Sequence, residues 1–311
     1  MNVKDELLSI LLSSQDSVSG SELAERIGCS RMAISKAADK LIEEGYSIEV
    51  TRSSGYRLMR KDVLSSAVLS HDFHIPVYFR EECVSTMLEA KELLSRGVAA
   101  PFAVVAAKQD GGRGRLGRSF FSPEGGVYMS LVISGSSVSA PDMITTAASL
   151  GTARAIEALT GIECSIKWVN DIYIRGRKAV GILTEGIVNM EEGGLDKAII
   201  GIGVNLRRMC PELPEDIKDK AVYLYPDGDG DTTRSELASR IADEVMKAVN
   251  EDFIDEYRRR CFIIGRDIKV IKNGGEEDAR AIGVDDRAHL VVKYIDGREE
   301  ALSSGEVTLR I

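Results

Sequence analysis

Four glycines and three arginines fall within eight consecutive residues, Gly111-Gly112-Arg113-Gly114-Arg115-Leu116-Gly117-Arg118. Apolar runs at 104–107 and 127–133 bracket them, and short apolar runs bounded by turn residues read as strands. The chain must therefore build a sheet in which two strands hold a loop of almost unrestricted backbone between them. Glycine takes positive φ and lets the main chain approach a ligand closely, while backbone N–H groups and guanidinium forks match phosphate and carboxylate. No carboxylate follows Asp110 in the segment, so it reads as an anion-binding loop. It is not the phosphate loop G-x-x-x-x-G-K-[ST], because no Gly-Lys-Ser/Thr occurs. Nor is it a dinucleotide fingerprint, because a strand rather than a helix follows. The plainer alternative is a solvated arginine-rich turn.

The expected fold class is α+β, in three parts: 1–62, 63–261 and 262–311. In the first, Leu7, Leu8, Leu11 and Leu12 lie at helical spacing, and Leu23 with Ile27 form a short pair ending at Gly28. Ser30 is a good N-cap for a stripe of Ile34, Ala37, Ala38, Leu41 and Ile42. Two helices joined by residues 28–30 make a helix-turn-helix, and alternating runs at 48–51 and 55–58, hinged at Ser53-Ser54, read as a hairpin wing. The chain carries 40 basic and 49 acidic residues, net −9, which repels nucleic acid, so any DNA contact needs a local patch. Six of the eight basic residues in 1–60 fall on the second helix and wing: Arg31, Lys36, Lys40, Arg52, Arg57 and Arg60. The expected DNA-binding set is Ser30, Arg31, Ser35, Lys36, Lys40 and Arg52; the alternative is a solvated helical face beside an incidental hairpin.

The middle part reads as a mixed sheet with helices on one side. A helix is expected from about 141 to Gly161, strands at 166–168, 172–174, 178–188 and 197–206, and one long helix from a Thr233/Glu236 capping box to about Arg260. Residues 262–311 alternate as a small β-barrel would, with no helix. The 311 residues are 44% apolar and 29% charged, as in an ordinary folded protein. Apolar stretches such as Ala198-Ile199-Ile200 fall far short of the roughly 20 residues that cross a bilayer, and the first residues open no signal peptide. A cytoplasmic protein without membrane contact is expected. Five scattered cysteines without a C-x-x-C pair read as buried thiols rather than a disulfide framework or zinc site. Only three histidines occur, a poor basis for a His-based mechanism.

A second constellation is Lys167-Trp168-Val169-Asn170-Asp171, then Lys178 and Glu185. It reads either as a hairpin with solvated ends or as a site. Lys178 enters an apolar strand and needs an anion there, which a substrate can supply. Asp171 is then a candidate Mg²⁺ ligand, since that ion takes one or two carboxylates plus phosphate oxygens.

These motifs resemble biotin–protein ligases. They are Gly-Arg-Gly-Arg-x-Gly-Arg before Phe121-Ser122-Pro123, Lys-Trp-x-Asn-Asp, Arg177-Lys178-x-x-Gly181-Ile182-Leu183-x-Glu185, and Gly201-x-Gly203-x-Asn205. The N-terminal part is similar to that of the bifunctional kind, which also represses biotin-synthesis genes, and the resemblance takes in Ser30-Arg31-x-Ala33-Ile34-x-Lys36 and Ser304-Gly305-Glu306-Val307-x-Leu309-Arg310. It implies a winged helix-turn-helix, a ligase domain and an SH3-like barrel. It also implies ATP-dependent formation of biotinyl-5′-AMP and transfer of the biotinyl group to a lysine of a biotin carboxyl carrier domain. On that resemblance Ser85, Thr86, Gln109 and the backbone of Gly112 hold the biotin head group. Arg113, Gly114 and Arg115 close over carboxylate and phosphate, and Lys178 bridges both. The catalytic residues are then Lys178, Arg113 and Arg115. Arg115, Arg118, Lys167, Asn170, Asp171 and Asn205 serve ATP, with Phe120 stacked on adenine and Mg²⁺ at Asp171. Met87 stands in the biotin site where the family often has Asn after Ser-Thr, a departure that bears on a polar side-chain contact near biotin and leaves a backbone contact there open. Implied partners are the carrier domain, operator DNA and a second copy of the chain in a homodimer promoted by biotinyl-5′-AMP.

The chemistry agrees with the residues. Joining two anions needs cations, backbone donors and orientation, and a glycine-arginine loop suits a lid over a reactive anhydride. The rival readings are a lipoate ligase on a related fold, a ligase whose N-terminal domain does not repress, and a ligand-sensing transcription factor without catalysis. Lys178 and the Lys-Trp-x-Asn-Asp segment argue against the last.

Overall fold

The structure, a computed structural model, describes residues 2–51, 55–59, 62–189, 194–208, 213–272, 275–303 and 305–309. Arg52, Ser53, Ser54, Arg60, Cys210, Ser304 and Arg310 lie outside them. The chain opens with α1 (Val3–Ser13), α2 (Gly20–Ile27) and α3 (Arg31–Glu43). Each starts at a side-chain cap: Asn2 accepts from the Asp5 N–H, Ser19 from Glu22 and Ser30 from Ala33, using donors that a helix start leaves without partners. Gly28 closes α2 in the left-handed conformation at φ 73°. Leu7, Leu8, Leu11, Leu23, Ile34 and Leu41 form the core between the three helices. The wing is an antiparallel pair, β1 (Ser47–Thr51) and β2 (Gly55–Met59). It docks by a bridge between Val18 and Tyr56. Gly55, at φ 97°, allows the docking, because a Cβ there would stand 2.1 Å from the Val18 carbonyl oxygen.

Next come α4 (Ser66–Asp72), β3 (Val77–Cys83), α5 (Thr86–Ser95), β4 (Phe102–Gln109), β5 (Val127–Ser134), α6 (Ile144–Thr160), β6 (Ser165–Lys167), β7 (Asp171–Ile174), β8 (Arg177–Val188) and β9 (Leu195–Val204). The strands form one sheet in the order β3-β4-β5-β9-β8-β7-β6. Only β3 and β4 run parallel. Period-two alternation divides the apolar residues of the central strands between two faces. Ala103, Val105, Met129, Leu131 and Ile200 join the larger core, whereas Phe102, Val104, Val132 and Ile199 join a second core with Met87, Ala90 and Leu93 of α5. The expectation of helices on one side is thus corrected: α6 and α7 (Arg234–Ala248) cover one face and α5 the other. Both faces are buried, which is why β4 reads as an unbroken apolar run.

Two helix expectations also change. The segment from 141 begins with one tight turn at Pro141–Met143, and α6 proper starts at Ile144. The helix opened by the Thr233/Glu236 capping box ends at Ala248, and α8 (Ile254–Arg260) follows as a separate element. The Asn250 side chain donates to the Met246 carbonyl at 3.1 Å, and Glu251 and Glu256 both turn back to Arg154 of α6. Asn and Asp side chains that bond nearby backbone compete with helix continuation.

The C-terminal strands are β10 (Asp267–Lys272), β11 (Gly275–Val284), β12 (Leu290–Tyr294), β13 (Glu299–Leu302) and β14 (Glu306–Leu309). They pair antiparallel in the order β13-β12-β11-β10-β14. Instead of a closed barrel, the described residues make an open sheet, with a bulge between Ala281 and Gly283. Its apolar side, with Ile268, Val270, Ala281, Leu290, Val292 and Leu302, is continuous with the central core, so burial does not require closure. Trp168 Nε1 donates to the Ala288 carbonyl at 2.9 Å and Arg258 Nε to that of Val284 at 2.7 Å across the contact. Among the described residues no helix is long and apolar enough to cross a membrane.

Candidate active site

The floor of the site is built from glycines. Gly181 of β8 and Gly203 of β9 are register partners, and Gly201 lies two residues before Gly203 on the same face. A Cβ on Gly203 would stand 2.5 Å from Phe120 Cε1, and one on Gly181 3.0 Å from Phe120 Cε2. The Phe120 ring therefore lies on bare backbone. One step along the sheet, a Cβ on Gly201 would meet Met87 Sδ at 2.7 Å. Met87 brings buried apolar packing to this position. Since Met87 belongs to α5, the site is on the α5 face of the sheet.

At one end, hydroxyls and an amide form a chain. Ser130 Oγ donates to Thr86 Oγ1 at 2.9 Å; the Thr86 N–H and Oγ1 donate to Gln109 Oε1 at 2.8 and 3.2 Å. Gln109 Nε2 then donates to Ser122 Oγ at 3.1 Å, which donates to the Phe120 carbonyl at 3.0 Å. Ser85 is buried at the start of α5, where its side chain makes no capping bond. Gly112 fits beneath this chain, because a Cβ would reach 2.5 Å from the Phe120 oxygen and 2.7 Å from Ser122 Oγ. The sequence had named Ser85, Thr86, Gln109 and Gly112 but missed Ser130, although a serine inside the apolar run 127–133 was a visible signal.

The arginine loop folds on itself, with Arg113 paired to Ser119 and the Gly114 N–H donating to the Arg118 carbonyl at 2.7 Å. Its tip, Leu116, takes φ 56° and is 76% exposed. Arg113 and Arg118 are exposed, while Arg115 turns inward. Arg115 Nη1 donates to Asn170 Oδ1 at 3.3 Å and Nη2 to the Gly305 carbonyl at 2.8 Å. At the loop entry, a hydrogen bond and charge from Glu82 raise the Asp110 carboxyl above its ordinary value. Glu82 itself is lowered by its bond to Lys108.

Beside the ring, Lys178 Nζ pairs with Asp171 Oδ1 at 2.6 Å, and a Cβ on Gly181 would stand 3.4 Å from Lys178 Cε. Lys167 is the register partner of Asp171 across β6 and β7. Asn170 is buried and holds its position by donating from Nδ2 to the Ile182 carbonyl at 2.6 Å. Asn205 is also buried, just past β9, its N–H on the Ala179 carbonyl at 2.9 Å. Lys178, Asp171, Asn170, Arg115 and Phe120 thus converge. The helix-turn-helix residues Ser30, Arg31, Ser35, Lys36 and Lys40 form a separate exposed face.

Among the described residues no three His, Cys, Asp or Glu side chains come together as a metal site. Asp171 offers a single carboxylate, which suits a cation that takes its other ligands from phosphate and water. Cys83 and Cys261 are pushed up to about 11 and Cys164 to about 12, all by burial. They are protonated thiols without nucleophilic character.

The biotin/lipoate A/B protein ligase family matches residues 82–205, and an HTH domain matches residues 4–57. The bifunctional ligase/repressor BirA of Bacillus spizizenii and that of Bacillus subtilis are each 30% identical over 308 residues, covering 92% of this chain and 92% of their own. The chain belongs to the bifunctional ligase/repressor BirA family. A biotin protein ligase from Aquifex aeolicus, solved in complex with biotin and ATP, shares 28% identity at a TM-score of 0.64, over 76% of this chain and 98% of its own. A family named for two activities matches a chain with two separated faces, the glycine-floored cleft and the exposed side of α3.

Proposed function

We propose that this protein activates biotin with ATP and passes the biotinyl group to a lysine of a biotin carboxyl carrier domain, while its N-terminal part binds operator DNA to repress biotin-synthesis genes. The observation that carries the ligase reading is the convergence of Lys178, Asp171, Asn170 and Arg115 around the Phe120 ring on Gly181 and Gly203. In the first step a biotin carboxylate oxygen bonds to the α-phosphorus of ATP and the α–β anhydride bond breaks, releasing pyrophosphate. Lys178 lies between the two anions and stabilises the charge that develops there. In the second step the carrier lysine attacks the carbonyl, loses a proton, and AMP leaves. Ser85, Thr86, Gln109 and the Gly112 backbone take the biotin head group. The hydroxyl–amide chain from Ser130 to Ser122 fixes the orientation of these donors and acceptors beforehand. Arg113, Gly114 and Arg115 close over the intermediate and exclude water, and Arg118, Lys167 and Asn205 join Asn170 in holding the nucleotide. Phe120 offers an aromatic face for adenine. Asp171 is the residue that would hold Mg²⁺, which when bound neutralises phosphate charge.

The division into 1–62, 63–261 and 262–311 follows the three sheets, and the C-terminal part is read as an SH3-like module that carries Gly305 to the loop. Operator binding is assigned to Ser30, Arg31, Ser35, Lys36, Lys40 and Arg52, in a dimer. The test is isotope exchange between pyrophosphate and ATP, with biotin, lipoate or neither, followed by mass spectrometry of a carrier domain. Biotin-dependent exchange and one biotinylated lysine are expected. Exchange with lipoate alone, or ATP hydrolysis independent of biotin, would overturn the reading.

A further inference from the structure

The outward side of α3 carries Arg31, Met32, Ser35, Lys36, Asp39 and Lys40, all exposed. Met32 does not belong there by polarity. Its helix buries Ile34, Ala37, Ala38 and Leu41 in the N-terminal core, whereas Met32 is 69% exposed and takes no part in that core. It is the second residue of α3, one turn before Ser35 and Lys36. The N-terminal residues of a recognition helix are the ones that meet base edges in the major groove. Arg31, Lys36 and Lys40 surround it with positive charge complementary to phosphate, which draws DNA without reading sequence. The apolar group that the major groove presents is the thymine C5 methyl, and an unbranched thioether chain adapts to such a surface.

We propose that Met32 determines operator sequence by packing on a thymine methyl in each half-site. This rests on the DNA-binding reading above.

The test begins with selection from a random duplex library by the full-length wild-type protein with biotinyl-5′-AMP. Each thymine of the enriched duplex is then replaced in turn by deoxyuridine, which keeps base pairing and removes only the methyl. At one thymine per half-site the replacement should weaken the wild type about 4-fold, the value of one buried methyl-sized group. Met32→Ala, which loses the contact in both half-sites, should bind the unmodified duplex about 16-fold more weakly, as the wild type binds the duplex with uracil in both half-sites, and be indifferent to the replacement, while Met32→Leu keeps the discrimination. Its melting temperature and pyrophosphate exchange should stay at wild-type values, since the residue is exposed and remote from the cleft. Equal wild-type affinity for every thymine and uracil pair, or unchanged methyl dependence in Met32→Ala, overturns the proposal. Failure to enrich any sequence overturns the DNA-binding reading beneath it.

Discussion

Lys178 and Arg115 lie in the same cleft with different partners, and their substitutions should fail differently. Lys178 faces Asp171 at 2.6 Å; in the role proposed for it, Lys178→Ala should slow pyrophosphate exchange by about 10²-fold or more, as loss of a preorganised donor does. Near-wild-type exchange would refute that role. Arg115 ties the loop to Asn170 and to the Gly305 carbonyl. Arg115→Ala should leave more of the exchange and release biotinyl-5′-AMP faster, read by labelling of bystander lysines; tight retention would refute it. The cysteines allow a check on burial. With folded-state values raised to about 11 for Cys83 and Cys261 and about 12 for Cys164, the neutral thiols contribute stability below the unfolded cysteine value that is lost as pH rises. At mildly alkaline pH, alkylation of the native protein should reach partly exposed Cys29 well before these three, and peptide mapping of labelled sites decides it.

Glycine substitutions test how elements meet. Gly151 sits in mid-α6, where alanine would ordinarily stabilise a helix by about 1 kcal/mol. Here a Cβ would stand 2.8 Å from Glu244 and Val245 backbone atoms of α7, and overpacking of that kind costs about 1–3 kcal/mol. Backbone of a helix cannot swing aside as a side chain does, so the clash wins. Gly151→Ala should lower the melting temperature; a rise would show that α6 and α7 can separate at little cost. Such contacts explain what the sequence could reveal. The arginine loop, the Asn170-Asp171 turn, the Thr233/Glu236 capping box and the helix-turn-helix were legible because they depend on local residue type. α4, β3 and α5 went unread: β3 is a half-exposed edge strand carrying Arg80, Glu81 and Glu82, without the alternation that marks a strand. The break between α7 and α8 depends on Arg154, about a hundred residues away in sequence. The floor glycines were visible as a motif, but nothing local showed that Phe120 and Met87 lie on them.

At the scale of the whole molecule, the connector between the DNA-binding part and the cleft holds one largely buried carboxylate. Asp62, in the connector, accepts from Arg207 Nε at 3.0 Å and from the Arg234 backbone N–H and Nε at 2.8 and 3.1 Å. Arg207 follows Asn205 by two residues and also donates to the carbonyls of Gly228, Gly230 and Thr232. One guanidinium thus joins the end of β9, the loop before α7 and the connector. All three side chains are largely buried, at 17% exposure for Asp62, 13% for Arg207 and 9% for Arg234. Removing one partner of such a group typically costs about 3–5 kcal/mol, so Asp62→Ala should melt well below the wild type. Asp62→Asn keeps the shape and removes the charge, making it the better probe of coupling. A single helix-turn-helix on a chain of net charge −9 should bind DNA weakly, and two copies related by a two-fold axis double the contacts. In the proposed dimer, operator binding should strengthen with biotinyl-5′-AMP, by a coupling of about 1–3 kcal/mol. In Asp62→Asn that ligand response should shrink while pyrophosphate exchange persists. Sedimentation and operator titration with and without the intermediate, over a salt series with a slope of about −0.9 per phosphate contact, separate the cases. An unchanged slope with a reduced ligand response locates the effect in the connector. An undiminished response would show that the ion cluster only holds the two parts together.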